Sequence, residues 1–349
     1  MRYQNFSIRS NRLAEAAQKG GWVLTDATSA GANPVWVVRH PSPKTDIKRI
    51  AWSLMHGNEP TGFEALLQFI ESGAPQCDWT LVPLVNPTGI DRFERLTAEG
   101  IDLNRCARIH GPAEAELLKE LLRNNSFDLA LNLHDQRSLF HPAGQNLPST
   151  LSVLAPRART EQGELAPARA KQWAGWMSSF VANRRPDWGL ARFDDQYYPQ
   201  AFGEWCQELG IPTITVETGV SIGDYSRAEI ARQLGAALID LDKITSPEAQ
   251  YEQIYDSLAF NASTGIDLEL HSPKGASFWR VVEEVLPDLG YRSGIQDVGE
   301  IGSGSNAYCR LQLSEDEFAS ITSKPFWTSS ELQASTSAAL RSFATGLPK

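Results

Sequence analysis

Residues 50–62 read IAWSLMHGNEPTG, and this stretch decides how the fold is interpreted. Its first six residues form an apolar run, which predicts a buried strand. His56 and Glu59 follow the run directly, and apolar residues at helical spacing then continue to Ile70. The sequence therefore predicts a strand, a turn that carries a histidine and a carboxylate, and a helix.

Two further apolar runs end at ionisable residues. Residues 128–133 predict a strand that ends at His134, and residues 212–216 predict another that ends at Glu217. Open parallel sheets bind their ligands at the carboxyl ends of the strands. Strands that alternate with helical segments predict an α/β fold, whose sheet edge would bring these two side chains to the turn at residues 56–59.

The residue types at this edge suit a metal ion. Two imidazoles and one carboxylate are a common ligand set of catalytic zinc, which keeps its fourth position open. We predict that His56, Glu59 and His134 bind one zinc ion per chain. Each also has an ordinary alternative, as a turn histidine, a carboxylate at a helix N-terminus and a core histidine. Asp135 would either orient the ring of His134 or cap the end of the strand.

Two short motifs lie between the first two of these strands. Asn-Pro-Thr-Gly occupies residues 86–89, and Gly-Ile-Asp-Leu-Asn-Arg occupies residues 100–105, with Arg95 between them. Preceded by His-x-x-Glu and followed by a strand-ending His and a late Glu, they resemble the pattern of the zinc carboxypeptidase (M14 metallopeptidase) family. The resemblance covers residues 50–220 of this chain.

The motifs divide between two branches of that family. Thr88 stands where the family usually carries Asp, and Asn58 stands where its digestive enzymes carry Arg. The His-Gly-Asn-Glu form is similar to the branch of succinylglutamate desuccinylase and aspartoacylase. The Gly-Ile-Asp-Leu-Asn-Arg motif and the position of Arg95 are closer to bacterial peptidases that act on murein peptides.

The resemblance implies catalytic and substrate-binding roles for further residues. Glu217 would be the general base that takes a proton from water and passes it to the leaving nitrogen. Arg95 would donate to the oxyanion of the tetrahedral intermediate, with Arg92 as second choice. Asn104 and Arg105 would bind a free α-carboxylate of the substrate, because guanidinium geometry matches that of a carboxylate.

These assignments also have ordinary alternatives. Residues 102–105 would otherwise form a surface turn with a local ion pair, and Glu217 would otherwise be a neighbour of a helix cap. Tyr197 and Tyr198 precede Glu217 at a distance that suits a tyrosine over the site, but the sequence assigns the role to neither.

We therefore expect a zinc-dependent metallocarboxypeptidase that hydrolyses an amide bond next to a free carboxylate in peptides. The alternative is a zinc-dependent N-acyl amino-acid deacylase of the desuccinylase and aspartoacylase type, in which Arg105 holds the carboxylate of the amino acid. The third possibility, from another class, is a non-catalytic zinc-binding domain. The presence of Glu217 beside three candidate ligands argues against this last reading.

Composition excludes several other classes of protein. The chain has 349 residues and a formal net charge of −10, which argues against a nucleic-acid partner because such partners need a basic surface. No apolar run approaches the length of a membrane span, and residues 1–6 carry no signal-like apolar segment. We therefore expect a cytoplasmic protein without a membrane partner, whose four widely spaced cysteines are free thiols.

The chain divides in character near its last hundred residues. We expect residues 1–250 to form the catalytic domain, a mixed, largely parallel sheet flanked by helices. Residues 251–349 would form a C-terminal α+β extension or a small accessory α+β domain, of unknown role in either case. Within it, apolar spacing predicts helices over residues 278–289 and 329–344, and β-like residues 291–313 lie between them.

Overall fold

A computed structural model describes residues 3–28, 33–137, 139–145, 147–159, 165–194, 196–221, 223–263, 266–286, 290–299 and 309–347. The helices are α1 (Phe6–Gly20), α2 (Thr61–Glu71), α3 (Pro87–Arg92), α4 (Ala113–Asn124), α5 (Leu165–Arg184), α6 (Phe202–Glu208), α7 (Ala228–Leu241), α8 (Gln250–Ser257), α9 (Glu315–Ile321), α10 (Ser329–Gln333) and α11 (Ala338–Ala344), with a 3₁₀ turn at Leu103–Arg105. The strands are β1 (Val23–Asp26), β2 (Trp36–Arg39), β3 (Lys48–Trp52), β4 (Asp78–Val82), β5 (Leu129–Asp135), β6 (Phe140–Pro142), β7 (Ser149–Leu154), β8 (Gly189–Arg192), β9 (Thr213–Thr218), β10 (Asn261–Ser263), β11 (Leu268–Ser272), β12 (Gly275–Leu286), β13 (Gly290–Asp297), β14 (Cys309–Gln312) and β15 (Phe326–Thr328).

The main sheet has eight strands in the order β1-β2-β4-β3-β5-β9-β7-β8. Its central strands β4, β3, β5 and β9 are parallel to one another. Antiparallel pairs join β1 to β2, β2 to β4 and β9 to β7, while β7 and β8 pair in parallel. This arrangement confirms the predicted α/β class with a mixed, largely parallel sheet.

Helices cover both faces of this sheet, which explains why its central strands read as continuous apolar runs. Helices α1, α2, α5 and α7 pack on one face, and α4 and α6 pack on the other. Successive strand residues point to opposite faces. In β3, Ala51 therefore belongs to the first layer and Trp52 to the second.

A second sheet lies in the C-terminal part of the chain, with its strands in the order β14-β11-β12-β13-β15. It has its own apolar core, which also receives Leu139, Val220 and Tyr225 from the loops around the main sheet. The second sheet is thus packed against the loops at the carboxyl edge of the main sheet. The division of the chain at residue 250 stays a prediction.

The helix predicted over residues 278–289 is wrong over residues 278–286, where the chain forms strand β12, and residues 287–289 lie outside the described residues. Phe278 and Val282 are four residues apart, a spacing that fits one face of a helix and equally one face of a strand. The segment is rich in valine, which favours strands, and β11 and β13 pair with it along both edges. The single helix predicted over residues 329–344 is two helices, because Ser337 caps the start of α11.

The sequence also predicts that the chain has no membrane span and that its cysteines are free thiols. Across the described ranges, no helix combines the length and apolar character that crossing a bilayer requires. All four cysteines are free.

Candidate active site

The candidate metal ligands lie at the carboxyl ends of adjacent parallel strands. Strand β5 lies between β3 and β9, and His134 on β5 is in register with Glu217 on β9. His56 and Glu59 lie in the turn that joins β3 to α2. The sheet edge therefore brings these four side chains together from three neighbouring strands.

The turn after β3 is held by the Asn-Pro-Thr-Gly motif. A Cβ atom on Gly57 would lie 1.9 Å from the carbonyl carbon of Gly89, so only glycine permits this close approach. The Asn86 side chain accepts a hydrogen bond from the Gly89 amide at 2.8 Å and donates to the carbonyl of Met55 at 3.2 Å. The motif thus fixes the backbone immediately before His56.

Three side chains bring their donor atoms together here: His56 and Glu59 from this turn, and His134 from β5. His56 Nδ1 lies 2.8 Å from Glu59 Oε1, and His134 Nδ1 lies 2.7 Å from Glu59 Oε2. The three side chains are only 2–3% exposed, and their donor atoms all lie within 4.8 Å of one another. A tetrahedral zinc ion with bonds of about 2.0–2.1 Å to nitrogen holds its donors about 3.3 Å apart. Small side-chain shifts would therefore make this donor set fit zinc.

The electrostatics of the triad stabilise the ionised carboxylate of Glu59. Burial lowers the pKa of His56, but the charge of Glu59 and the hydrogen bonds that the ring makes to Asp102 and Glu59 outweigh it and raise that pKa to about 9. Burial opposes ionisation of Glu59, yet the two imidazoles hold the pKa of its carboxyl well below the usual range. Burial lowers the pKa of His134. A metal ion bound here would replace the proton of His56 as the positive charge beside Glu59.

Asp102 is a site residue that sequence analysis did not single out. Its Oδ1 lies 3.2 Å from His56 Nε2, so a neutral ring protonated at Nε2 keeps the lone pair of Nδ1 for a metal. Its Oδ2 accepts two hydrogen bonds from Arg95, from Nε at 3.0 Å and from Nη2 at 2.9 Å. The signal was present, because Asp102 lies inside the Gly-Ile-Asp-Leu-Asn-Arg motif, but its partner is far away in sequence.

Arg95 lies beside the donor atoms of the triad. Its Nη1 is 3.2 Å from His56 Nδ1 and 3.7 Å from Glu59 Oε1. The side chain is 44% exposed and lines the cavity in front of the triad, while its Nε and Nη2 both donate to Oδ2 of Asp102. A guanidinium held in this way can donate to an oxygen that develops negative charge there.

A cavity of about 320 Å³ opens in front of the triad. Its walls are formed by Asn58, Glu59, Arg95, Asp135, Gln136, Arg137, Phe140, Phe193 and Glu217. Burial and the negative charge of Glu59 raise the pKa of Glu217 well above its usual range. A divalent cation at the donor atoms would offset that repulsion and favour the ionised form of Glu217.

Asn104 and Arg105 are the residues predicted to clamp the substrate carboxylate. Neither residue is on the walls of this cavity. Asn104 Nδ2 is 3.5 Å from His134 Nε2, and Asn104 Oδ1 accepts from the amide of Phe202 at 3.0 Å. Arg105 is half-buried, donates to the carbonyl of Asn104 and lies 5.5 Å from the ring centroid of Tyr198. The structure thus places Asn104 next to the candidate ligand His134, and Arg105 next to Asn104 and Tyr198.

Three other residues considered from the sequence have different partners. Arg92 Nη1 donates to the carbonyl of Ala98 at 3.0 Å, so it is engaged within its own loop. The Tyr197 hydroxyl donates to Glu208 at 2.6 Å. Asp135 accepts from Thr61 and Thr218 side chains at 2.8 and 2.6 Å, so it ties the start of α2 to β9 and orients neither nitrogen of His134.

Comparison with known proteins locates this fold. No family model matches the sequence. Carboxypeptidase E of Caenorhabditis elegans is 33% identical over 105 residues, which are 29% of this chain and 21% of that protein. The match therefore spans about a fifth of the length of that curated relative.

Solved structures extend the comparison over about two thirds of the chain. The metallo-carboxypeptidase from Burkholderia cenocepacia superposes with a TM-score of 0.54 at 14% identity, covering 68% of each chain. A succinylglutamate desuccinylase/aspartoacylase from Rhodobacter sphaeroides aligns with a TM-score of 0.47 at 17% identity, over 65% of this chain and 66% of that chain. The resemblance predicted from the motifs is confirmed for the fold: the chain has the fold of the metallo-carboxypeptidases.

Proposed function

We propose that this protein is a zinc-dependent metallocarboxypeptidase, which hydrolyses an amide bond next to a free carboxylate in peptides. One observation carries the proposal. The buried donor atoms of His56, Glu59 and His134 converge at the carboxyl edge of the sheet, with Glu217 beside them on the next strand. Two imidazoles and one carboxylate with an open fourth position form a catalytic rather than a structural zinc site.

Each polar group around the cavity then has a chemical task. A divalent ion bound by the triad would polarise the substrate carbonyl and make a water molecule more acidic. Glu217 takes the proton of the attacking water and delivers it to the leaving nitrogen. Arg95, fixed by Asp102, donates to the oxyanion of the tetrahedral intermediate. Asp102 also orients the ring of His56.

The clamp selects the end of the substrate chain in this proposal. Arg105, assisted by Asn104, binds the free α-carboxylate, since a planar guanidinium forms two parallel hydrogen bonds with a carboxylate. The side chain of Arg105 is only half-buried, and its contacts are a backbone carbonyl and the face of Tyr198. The charge of Arg105 also acts on the buried carboxyl of Glu204, so a bound substrate carboxylate would share this guanidinium with Glu204.

We expect Arg105→Ala to lower kcat/KM on free-acid substrates by about 10- to 100-fold, because a hydrogen bond to a charged group contributes about 1.5–3 kcal/mol. The measurement compares a peptide that ends in a free acid with the same peptide ending in an amide. The wild type should prefer the acid, and the variant should lose that preference.

Arg123→Ala is the matched control. Arg123 also places its guanidinium over an aromatic ring, 5.1 Å from the Trp205 centroid, but it lies at the end of α4, on the amino side of β5. It should keep the wild-type preference. Equal kcat/KM for acid and amide in the wild type would mean that no chain end is read, and the protein would then be an endopeptidase or recognise another group.

The second candidate function is N-acyl amino-acid deacylation, and the size of the cavity favours it. A volume of about 320 Å³ is small for a peptide. Parallel assays with dipeptides and with N-acetyl and N-succinyl amino acids distinguish the two candidates by their kcat/KM.

A further inference from the structure

A second cavity, of about 80 Å³, adjoins the one in front of the metal ligands. It lies between the carboxyl edge of the main sheet and strand β12 of the second sheet, and Gln136, Arg137 and Phe140 line both cavities. The two cavities are therefore neighbours that share the side chains of these three residues.

Charged residues dominate the walls of the second cavity. Arg137 Nη2 donates to Glu283 Oε2 at 3.0 Å, and Arg227 Nη1 lies 3.7 Å from the same oxygen. Arg227 Nη2 donates to the carbonyl of Gln136 at 2.9 Å. Two guanidinium groups thus share a single carboxylate, and Arg280 brings a third guanidinium to the lining.

Two donor atoms of this pair lack an acceptor. Arg137 Nη1 and Arg227 Nε are buried and form no hydrogen bond with any described residue. A buried, unpaired donor is costly, and one that belongs to a cation is more costly still. The Arg227 side chain is only 9% exposed, so bulk water does not solvate it freely.

Two further acids lie near this pair. Asp135 accepts from the side chains of Thr61 and Thr218, and Asp267 accepts the amide of Val281 at 2.8 Å. Their charges act on Arg227 together with that of Glu283, and the charges of Glu283 and Asp135 act on Arg137. None of the described carboxylates accepts a hydrogen bond from Arg137 Nη1 or Arg227 Nε.

We propose that this cavity binds a second carboxylate of the substrate, through Arg137 and Arg227, while the scissile amide lies at the metal site. The inference rests on the proposed function and narrows its substrate class to amides that carry an additional acidic group, such as an acidic side chain or a dicarboxylic acyl group. Bidentate binding of a carboxylate would supply the acceptors that the two guanidinium groups lack.

The proposal also gives the C-terminal sheet a role. Glu283 on β12 holds both guanidinium groups toward the cavity, and its other oxygen accepts from the Tyr291 hydroxyl at 2.8 Å. The Arg137 guanidinium lies 5.3 Å from the ring centroid of Phe93, close to the loop that carries Arg95. The second sheet thus forms part of the substrate-binding wall.

A purely structural ion pair between the sheets makes different predictions from an anion site. If the pair only joined the sheets, Arg137→Met and Glu283→Gln would both lower stability, and neither would change the affinity for anions selectively. If the pair binds a carboxylate, Arg137→Met weakens binding, whereas Glu283→Gln removes the competing carboxylate and strengthens it. The opposite signs distinguish the two roles.

The test is isothermal titration calorimetry of the zinc-loaded protein with malonate, succinate, glutarate and adipate, each compared with the monocarboxylate of equal chain length. We expect at least one dicarboxylate to bind the wild type about 10- to 100-fold more tightly than its monocarboxylate. Arg137→Met should abolish that difference, and Glu283→Gln should increase it by a few-fold. Arg292→Met, which breaks the Arg292–Glu284 pair between β12 and β13, should leave it unchanged.

Several outcomes would overturn the inference. The wild type would overturn it by binding every dicarboxylate and its monocarboxylate with equal affinity. Arg137→Met would overturn it by keeping the wild-type difference between dicarboxylate and monocarboxylate affinity. If Arg137→Met does not fold, as circular dichroism would show, the sign of the Glu283→Gln effect decides, and weaker or unchanged binding in that variant rejects the anion site. Because binding is measured without turnover, a protein that hydrolyses no amide would reject the proposed function and leave the result on anion binding intact.

Discussion

Glu217→Gln is expected to lower kcat by about 100- to 10,000-fold, the usual contribution of a general base. Glutamine keeps the shape of the side chain but cannot take up the proton of the attacking water. Glu217 lines the cavity in front of the triad, and it is in register with the ligand His134 on the neighbouring strand. The loss should therefore fall on turnover, with metal content and KM close to those of the wild type.

Steady-state kinetics and metal analysis of the purified variant test this expectation. The matched control is Glu248→Gln, since Glu248 is exposed and precedes α8, remote from the carboxyl edge of β5 and β9. Near-normal kcat in the Glu217 variant would show that another group acts as the base. Loss of metal together with turnover would show instead that Glu217 belongs to the ligand set.

His134→Ala is expected to remove most of the bound metal and, with it, the hydrolytic activity. A catalytic zinc site has three protein ligands, so the variant keeps only a His-x-x-Glu pair. The buried Glu59 also loses its partner at 2.7 Å, so the remaining ligands are less well oriented. The measurement is the metal-to-protein ratio by mass spectrometry after gel filtration.

His110→Ala provides the control for the loss of an imidazole. The side chain of His110 is 92% exposed and lies in the loop before α4. This variant should retain the metal of the wild type. Full metal retention in His134→Ala would reject the proposed ligand set, whatever the activity of the variant.

Much of the site was predictable because the relevant signals are local in sequence. An apolar run that ends at a polar residue marks a strand end, and carboxyl ends of parallel strands meet at one edge. Three segments alone therefore predict that four residues lie at one edge of the sheet: His56, Glu59, His134 and Glu217. In the structure β3, β5 and β9 are adjacent and parallel.

The parts that were not predicted depend on distant contacts. The pairing of Asp102 with His56 joins residues 46 positions apart, and that of Arg137 with Glu283 joins residues 146 positions apart. A single sequence contains no pattern that records such pairs. The contacts of Asp135 with Thr61 and Thr218 are hidden for the same reason, since a strand-end aspartate reads equally well as a partner of its neighbour His134.

The error over β12 has a different physical origin. Apolar residues four positions apart fit one face of a helix and also one face of a strand. This spacing therefore does not distinguish helix from strand in a segment that also alternates. The decision is made by tertiary structure, because β11 and β13 offer hydrogen-bonding edges on both sides. Valine content was the better guide, since β-branched residues lose less freedom in a strand.

We expect turnover to depend on a metal ion bound by His56, Glu59 and His134. The most direct test strips the wild-type protein with a chelator and titrates zinc back while hydrolysis of a free-acid peptide and an N-acyl amino acid is followed. Activity should vanish on stripping, rise in proportion to added zinc and saturate at about one ion per chain. Undiminished hydrolysis by the stripped protein, or full zinc loading without hydrolysis of any free-acid amide, would contradict the account.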